Sequence, residues 1–191
     1  MPRLLLYCTK QPHKLYATDK GYVITDFELG DYYKTKEKLN GKIVAECDYE
    51  VEKITTFKDY TGYEEYDIHY QTAKRDYERL LQETCLNNQQ LDDYLQGENG
   101  YAIHIKNLHI FDDSRELSEY DKYEYEVFSS NGGCIGTEWK PIDKAPQNMM
   151  YCYDDGEKCI LISIRPEWLC KILNKEKTIE IRKKVLKEML K

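Results

Sequence analysis

Apolar positions along this chain recur mostly at the two-residue spacing of strands, interrupted by four stretches at helical spacing. Residues 3–9 (RLLLYCT) form a short unbroken apolar run stopped by Lys10-Gln11-Pro12, the pattern of a buried strand. The next thirty residues mix tyrosines with Gly21, Gly30 and many charges, and read as loop with short strands. Asn40-Gly41 marks a turn, and residues 42–54 alternate for part of their length, which predicts a long strand. Tyr77, Leu80 and Leu81 then recur at helical spacing within 72–82. A second helix has clearer ends: Asn87 as N-cap with Gln90 three residues on, Leu91, Tyr94 and Leu95 on one face, and Gly97 as the stop. Residues 101–111 (YAIHIKNLHIF) return to period two, with Tyr101, Ile103 and Ile105 facing one way and Ala102, His104 and Lys106 the other.

The remaining third continues in the same alternation. Residues 129–136 (SSNGGCIG) have loop composition, residues 147–153 make a short strand, and Asp154-Asp155-Gly156 is a turn. Residues 159–164 (CILISI) read as a strand buried on both faces. Pro166 opens a helix, where a missing N–H costs nothing, with Trp168, Leu169, Ile172 and Leu173 inward. Residues 177–183 (KTIEIRK) alternate strictly. Val185, Leu186, Met189 and Leu190 sit at near-helical spacing and predict a short amphipathic helix. The sum is an α+β fold, a single domain over 1–191, without internal repeats.

Composition narrows the class. Tyrosine dominates the aromatics, 18 against 2 Trp and 4 Phe, which suits half-buried strands and contact surfaces. The seven cysteines are irregularly spaced, with no CxxC and no leader before Leu4-Leu5-Leu6, so reduced thiols and a cytoplasmic setting are expected. No histidine (His13, His69, His104, His109) pairs with a cysteine at zinc spacing, so neither a metal nor another cofactor is expected. The longest apolar runs are too short to span a membrane. The net charge of −7 is uneven: residues 158–191 carry ten Lys/Arg against four Asp/Glu, leaving −13 for residues 1–157. That balance argues against a broad basic face for non-specific DNA binding, and leaves room for a focused pocket. Oligomeric state is open at this level.

The densest polar chemistry falls in residues 160–183. With Ile179 and Ile181 in the core, Thr178, Glu180 and Arg182 share the opposite face, with Lys177 at the strand's start. Arg165 sits beside the helix opening at Pro166, and helix N-termini favour anions because their first N–H groups are unpaired. A polar pocket is one reading. An ordinary Glu–Arg pair on a solvated strand face is the other.

The phrase SIRPEW followed by KILNKEKTIEIRK resembles the opening of ASCH domains, the PUA-like β-barrels. Their signature places a glycine, then Lys, Glu and Arg on a strand after a Pro-led helix; Lys177, Glu180 and Arg182 match the last three. Lys175 stands at the glycine, so Asn174 is expected to supply the left-handed residue that ends the helix. The resemblance extends over most of the chain to phage-borne relatives, through LLLYCTK (4–10), NGKIVAE (40–46), TCL (84–86), GYAIHIKNL (100–108), ELSEY (116–120) and the strand in 146–152. In those relatives the SIRPEW segment comes first, whereas here it comes last. The resemblance therefore implies a circularly permuted barrel with flanking helices, in which residues 159–183 supply the family's first strand–helix–strand.

Three functions follow as expectations. The resemblance implies a binding module for RNA or a nucleotide, read beside the Lys–Glu–Arg strand by Arg165, Lys177, Thr178, Glu180 and Arg182. Trp168 or Tyr7 would stack on a base, and His104 would be a further contact; a core role for Trp168 and a buried, satisfied histidine are the simpler accounts. The second is a phage-encoded acidic inhibitor of a host nuclease or other basic defence protein. Its motive is the run 112–126, in which Asp112, Asp113, Glu116 and Glu119 interleave with Tyr120, Tyr123 and Tyr125; a solvated loop explains the same run. The third is an acetylcytidine amidohydrolase using Lys177 and Glu83. The family's catalytic threonine position holds Glu180, so no catalytic residue is assigned and enzymatic activity is not expected.

Overall fold

In the computed structural model the described residues are 2–10, 13–30, 32–54 and 68–190, with the side chains of 68–73, 125–127, 135 and 137 outside the description. In chain order they form β1 (Arg3–Cys8), β2 (Lys14–Thr18), β3 (Gly21–Thr25), β4 (Thr35–Lys38), β5 (Ile43–Ile54), α1 (Ile68–Thr84), α2 (Asn88–Leu95) and β6 (Gly100–Arg115). There follow β7 (Asp121–Phe128), β8 (Cys134–Pro141), β9 (Met149–Asp154), β10 (Glu157–Ile164), α3 (Pro166–Leu173) and β11 (Ile179–Arg182). The fold is mixed α+β and mostly strand. The chain divides into two compact units, Met1–Asp48 with Asn107–Leu173 and Tyr49–Lys106 with Asn174–Lys191, so β5 and β6 each contribute to both.

In the first unit the two unbroken apolar runs meet. β1 pairs parallel with β10, Leu5 opposite Leu161, and antiparallel with residues 43–47 of β5. Strands covered on both faces need apolar side chains at every position, and Leu4, Leu5, Leu6, Ile160, Leu161 and Ile162 are all fully buried. Each such side chain contributes about 1.5–3 kcal/mol by leaving water. The Asp155-Gly156 turn closes the β9–β10 hairpin with both residues at positive φ, 47° and 82°, the mirror-image turn that matches strand twist. β7 follows β9, and β8 forms the sheet's edge; a second, three-stranded sheet has the order β3-β2-β4. Tyr7, Tyr120, Ile142, Cys152 and Cys159 join the core, and α3 packs on β1, β2 and β3.

In the second unit β11 pairs antiparallel with residues 101–104 of β6, and β6 borders β5. Ile54, Leu91, Leu95, Ala102, Ile179 and Ile181 form its core, with Tyr77, Leu80, Leu81 and Leu86 of the helical segment against them. α2 carries the expected capping box, Asn87 and Gln90 exchanging both bonds, while Gln96 at φ 56° ends it ahead of Gly97. Gly100 packs closely: a Cβ there would come within 2.6 Å of Leu95 Cδ2, so a larger residue would have to displace that buried side chain.

Several expectations change in detail. The acidic run is not a loop: β6 continues to Arg115, a 3-10 turn spans Leu117–Glu119, and β7 begins at Asp121. Long alternation interrupted by charges concealed that strand. Residues 129–133 are the turn of the β7–β8 hairpin, closed by Ser129 N–H to Gly133 O. The left-handed residue after α3 is Lys175 itself, φ 62°, rather than Asn174. The tail forms a 3-10 turn, Lys187–Leu190, which buries Met189 and leaves Leu190 exposed, instead of an amphipathic helix. Each sheet is open among the described residues. No disulfide joins the seven cysteines; five are buried, Cys85 is half-buried and Cys134 is exposed. No helix among the described residues is long and apolar enough to cross a membrane.

Candidate functional site

The Lys–Glu–Arg cluster is built where the end of α1 meets β11. Cys85, at φ 55°, turns the chain out of α1. Thr178 N–H then bonds Glu83 O (2.9 Å), and Thr178 O accepts from Ile105 N–H (2.9 Å), pinning the start of β11 between α1 and β6. Cys85 Sγ donates to Glu176 O at 3.2 Å. These bonds hold Lys177 inward: its Nζ lies 2.8 Å from Thr84 O and 3.5 Å from Glu180 Oε2. Arg182 Nη2 lies 3.0 Å from the other oxygen, Glu180 Oε1. One carboxylate thus carries a cation on each oxygen.

Burial gives these short distances their weight. The side chains of Lys177, Glu180 and Arg182 are 2%, 10% and 13% exposed. Taking such charges out of water costs several kcal/mol per ion unless partners compensate. Here the partners are each other and the last carbonyl of α1, the negative end of its dipole. Burial pushes the Lys177 ammonium below the ordinary lysine value; Glu180 pulls it back up, and Arg182 adds to the depression. The sign of the pH effect follows. Between the depressed folded value and the ordinary unfolded one, the unfolded chain holds the proton that the folded chain releases, so stability rises with pH through that window. Lys177→Met is expected to flatten this alkaline rise. Urea midpoints measured across the alkaline range on both proteins check it, and parallel pH profiles count against it.

Register separates the other residues expected here. Directly opposed residues of an antiparallel pair share a face. Glu180 and Arg182 face the side of Ile103 and Tyr101, whereas His104 pairs with Ile179 and lies on the opposite side. There His104 sits 3.3 Å from Glu52 and does not join the cluster. Thr178 contributes its backbone while the residue is exposed. Glu83 likewise contributes its carbonyl. Glu180, held by two cations, offers acceptors and no hydroxyl.

Arg165 and Trp168 belong to the first unit. Arg165 is 70% exposed and 4.0 Å from Glu167; Trp168 is half-buried under Lys171, 5.3 Å from the ring centroid. Tyr7 is 3% exposed and packed in the core, so its ring is no open stacking platform. In the acidic run Asp112, Asp113, Glu116 and Glu119 are exposed, with Glu116 3.2 Å from Lys42. Tyr120 departs from the expected surface role: it is fully buried, and its hydroxyl accepts from Arg115 Nη1 at 3.0 Å. Tyr123 is exposed, edge-on to Trp139, whose ring in turn meets Tyr153 edge-on at 4.2 Å between centroids. The side chain of Tyr125 lies outside the described residues.

Two groupings escaped the sequence. Arg3 lies 2.6 Å from Glu46 and 3.3 Å from both Asp154 and Glu157, while Arg115 lies 3.4 Å from Asp154, a network drawn from five strands. Thr84 acts through its carbonyl, which no side-chain pattern signals; Cys85 leaves only a cysteine after a helix as a clue. Among the described residues no group of three or more His, Cys, Asp or Glu is placed to hold a metal ion. No family model, curated protein or solved structure matches the chain.

Proposed function

We propose that this chain is a non-enzymatic binding module of the ASCH/PUA-like kind, with its strand–helix–strand unit moved to the chain's end, and that it binds RNA or a nucleotide beside β11. The observation carrying this reading is the Glu180 carboxylate fixed between Lys177 and Arg182 in a largely buried setting. A carboxylate beside a guanidinium fork accepts from a base amino group while the fork meets a base edge or phosphate. Two further points support the permuted order. β10, α3 and β11 follow one another as strand, helix and strand, and Lys175 takes the left-handed conformation of the family's glycine.

The test is fluorescence anisotropy with short single-stranded RNA at two salt concentrations. Binding that weakens with salt, and weakens about tenfold or more in Arg182→Ala, is the expected result. Lys144→Ala, at an exposed lysine, serves as the control. Absence of binding at low salt, or equal binding by Arg182→Ala in a folded state verified by circular dichroism, overturns the reading.

A second reading rests on the exposed Asp112, Asp113, Glu116 and Glu119 and on the exposed Tyr123–Trp139 pair: an acidic inhibitor of a basic nuclease. Inhibition of a purified basic nuclease, relieved by Asp112→Lys, with no RNA binding at low salt, favours it over the first.

A further inference from the structure

The first unit contains a cavity of about 770 Å³ between its three-stranded sheet and the neighbouring portions of β5 and β6. That volume lies within the usual range for small-ligand sites. Its lining divides by chemistry. Ala17, Leu39, Val44, Ile110 and Phe111 supply apolar surface, and Leu39 and Val44 are buried. The polar part is mainly anionic: Asp19, Glu37, Asp112 and Asp113 line it against the single cation Lys36.

One of these carboxylates already has a structural task. Glu37 accepts from Ser114 Oγ, from Ser114 N–H at 3.4 Å, and from Lys42 Nζ at 3.1 Å. Although burial pushes its pKa up, those bonds outweigh burial and hold it below the usual carboxylate range. Glu37 therefore stays ionised and ties β4 to the end of β6. Asp19, Asp112 and Asp113 remain at the exposed rim, three negative charges beside an apolar wall.

We infer that this cavity takes an organic cation, an ammonium or guanidinium group carried on an apolar stem. The apolar wall removes the stem from water, and the rim carboxylates meet the charge without desolvating it fully. An anionic or neutral body of the same shape lacks the second half of that match. The site is separate from the Lys177–Glu180–Arg182 cluster and does not depend on the nucleic-acid reading. The cation could arrive as a free amine or as a basic side chain of a protein, and the two sources call for separate arms.

The experiment uses the full chain labelled with nitrogen-15, titrated with 2-phenylethylamine and, separately, with phenylacetate. Expected are shifts of the Thr18 and Ser114 amides with the amine alone. The Asp112→Asn/Asp113→Asn double variant is expected to weaken that binding about tenfold, and Lys36→Glu to tighten it. These positions are exposed, and a thermal melt verifies that the variants fold. In the second arm a blocked Leu-Arg-Leu peptide is added: displacement of the amine identifies a protein side chain as the natural source, and failure to displace identifies a free amine. Equal binding of phenylacetate, an unchanged affinity in the double variant, or no amide shift at millimolar amine overturns the inference.

Discussion

Glu180→Ala is expected to lower the unfolding free energy by about 3–5 kcal/mol, the cost of breaking a buried ionic group by removing one partner. The size comes from what is left behind. Lys177 and Arg182 lose the carboxylate they share, and with side chains 2% and 13% exposed they can recover little hydration without opening the structure. Glu180→Gln is expected to cost less, because the amide oxygen retains one acceptor at nearly the same place. Urea unfolding of both variants measures the difference. An alanine variant within about 0.5 kcal/mol of the parent, as for an exposed pair, shows that the cluster is solvated and removes its claim to be a fixed recognition element.

Tyr120→Ala is expected to cost a similar amount, about 3–5 kcal/mol as for other buried aromatic truncations, whereas Tyr123→Ala costs less than about 1 kcal/mol. The two tyrosines are three residues apart in one acidic stretch, yet one is fully buried and the other 48% exposed. Tyr120 fills the core beside Tyr7, Ile43 and Leu161, and its hydroxyl receives the Arg115 guanidinium. Its loss leaves a cavity in the core and takes one acceptor from the half-exposed Arg115, which keeps Asp154 at 3.4 Å. Thermal melts of the two variants provide the check; matching midpoints would show that Tyr120 is not part of the core.

The difference between those tyrosines shows what local pattern could and could not carry. β1 and β10 were readable from residues 3–9 and 159–164 because burial on both faces leaves an unbroken apolar run, although β10 begins two residues earlier, at Glu157. The α2 cap was readable because its chemistry is local, two side chains three residues apart. Residues 112–126 were not, because strands with a charged face have the composition of a loop; 112–115 are the end of β6, and from residue 121 pairing with β8 and β9 defines β7. The candidate site was half legible. Alternation placed Ile179 and Ile181 inward and grouped Glu180 with Arg182, as the register shows. That Lys177 would turn to the end of α1 depended on Thr84 and Cys85, more than ninety residues earlier. His104 was misgrouped because faces within one strand say nothing about which face a neighbouring strand shares with it.

The cysteines give the molecule a chemical reporter of its own. Burial raises the Cys8, Cys47 and Cys152 thiols to about 12, so at neutral pH they are protonated and poor nucleophiles. Cys134, at the start of β8, is the one cysteine that is exposed. A maleimide dye applied briefly to the native protein therefore marks the β7–β8 hairpin without any engineered attachment point, while slower uptake at the shielded sulfurs times the opening of the interior.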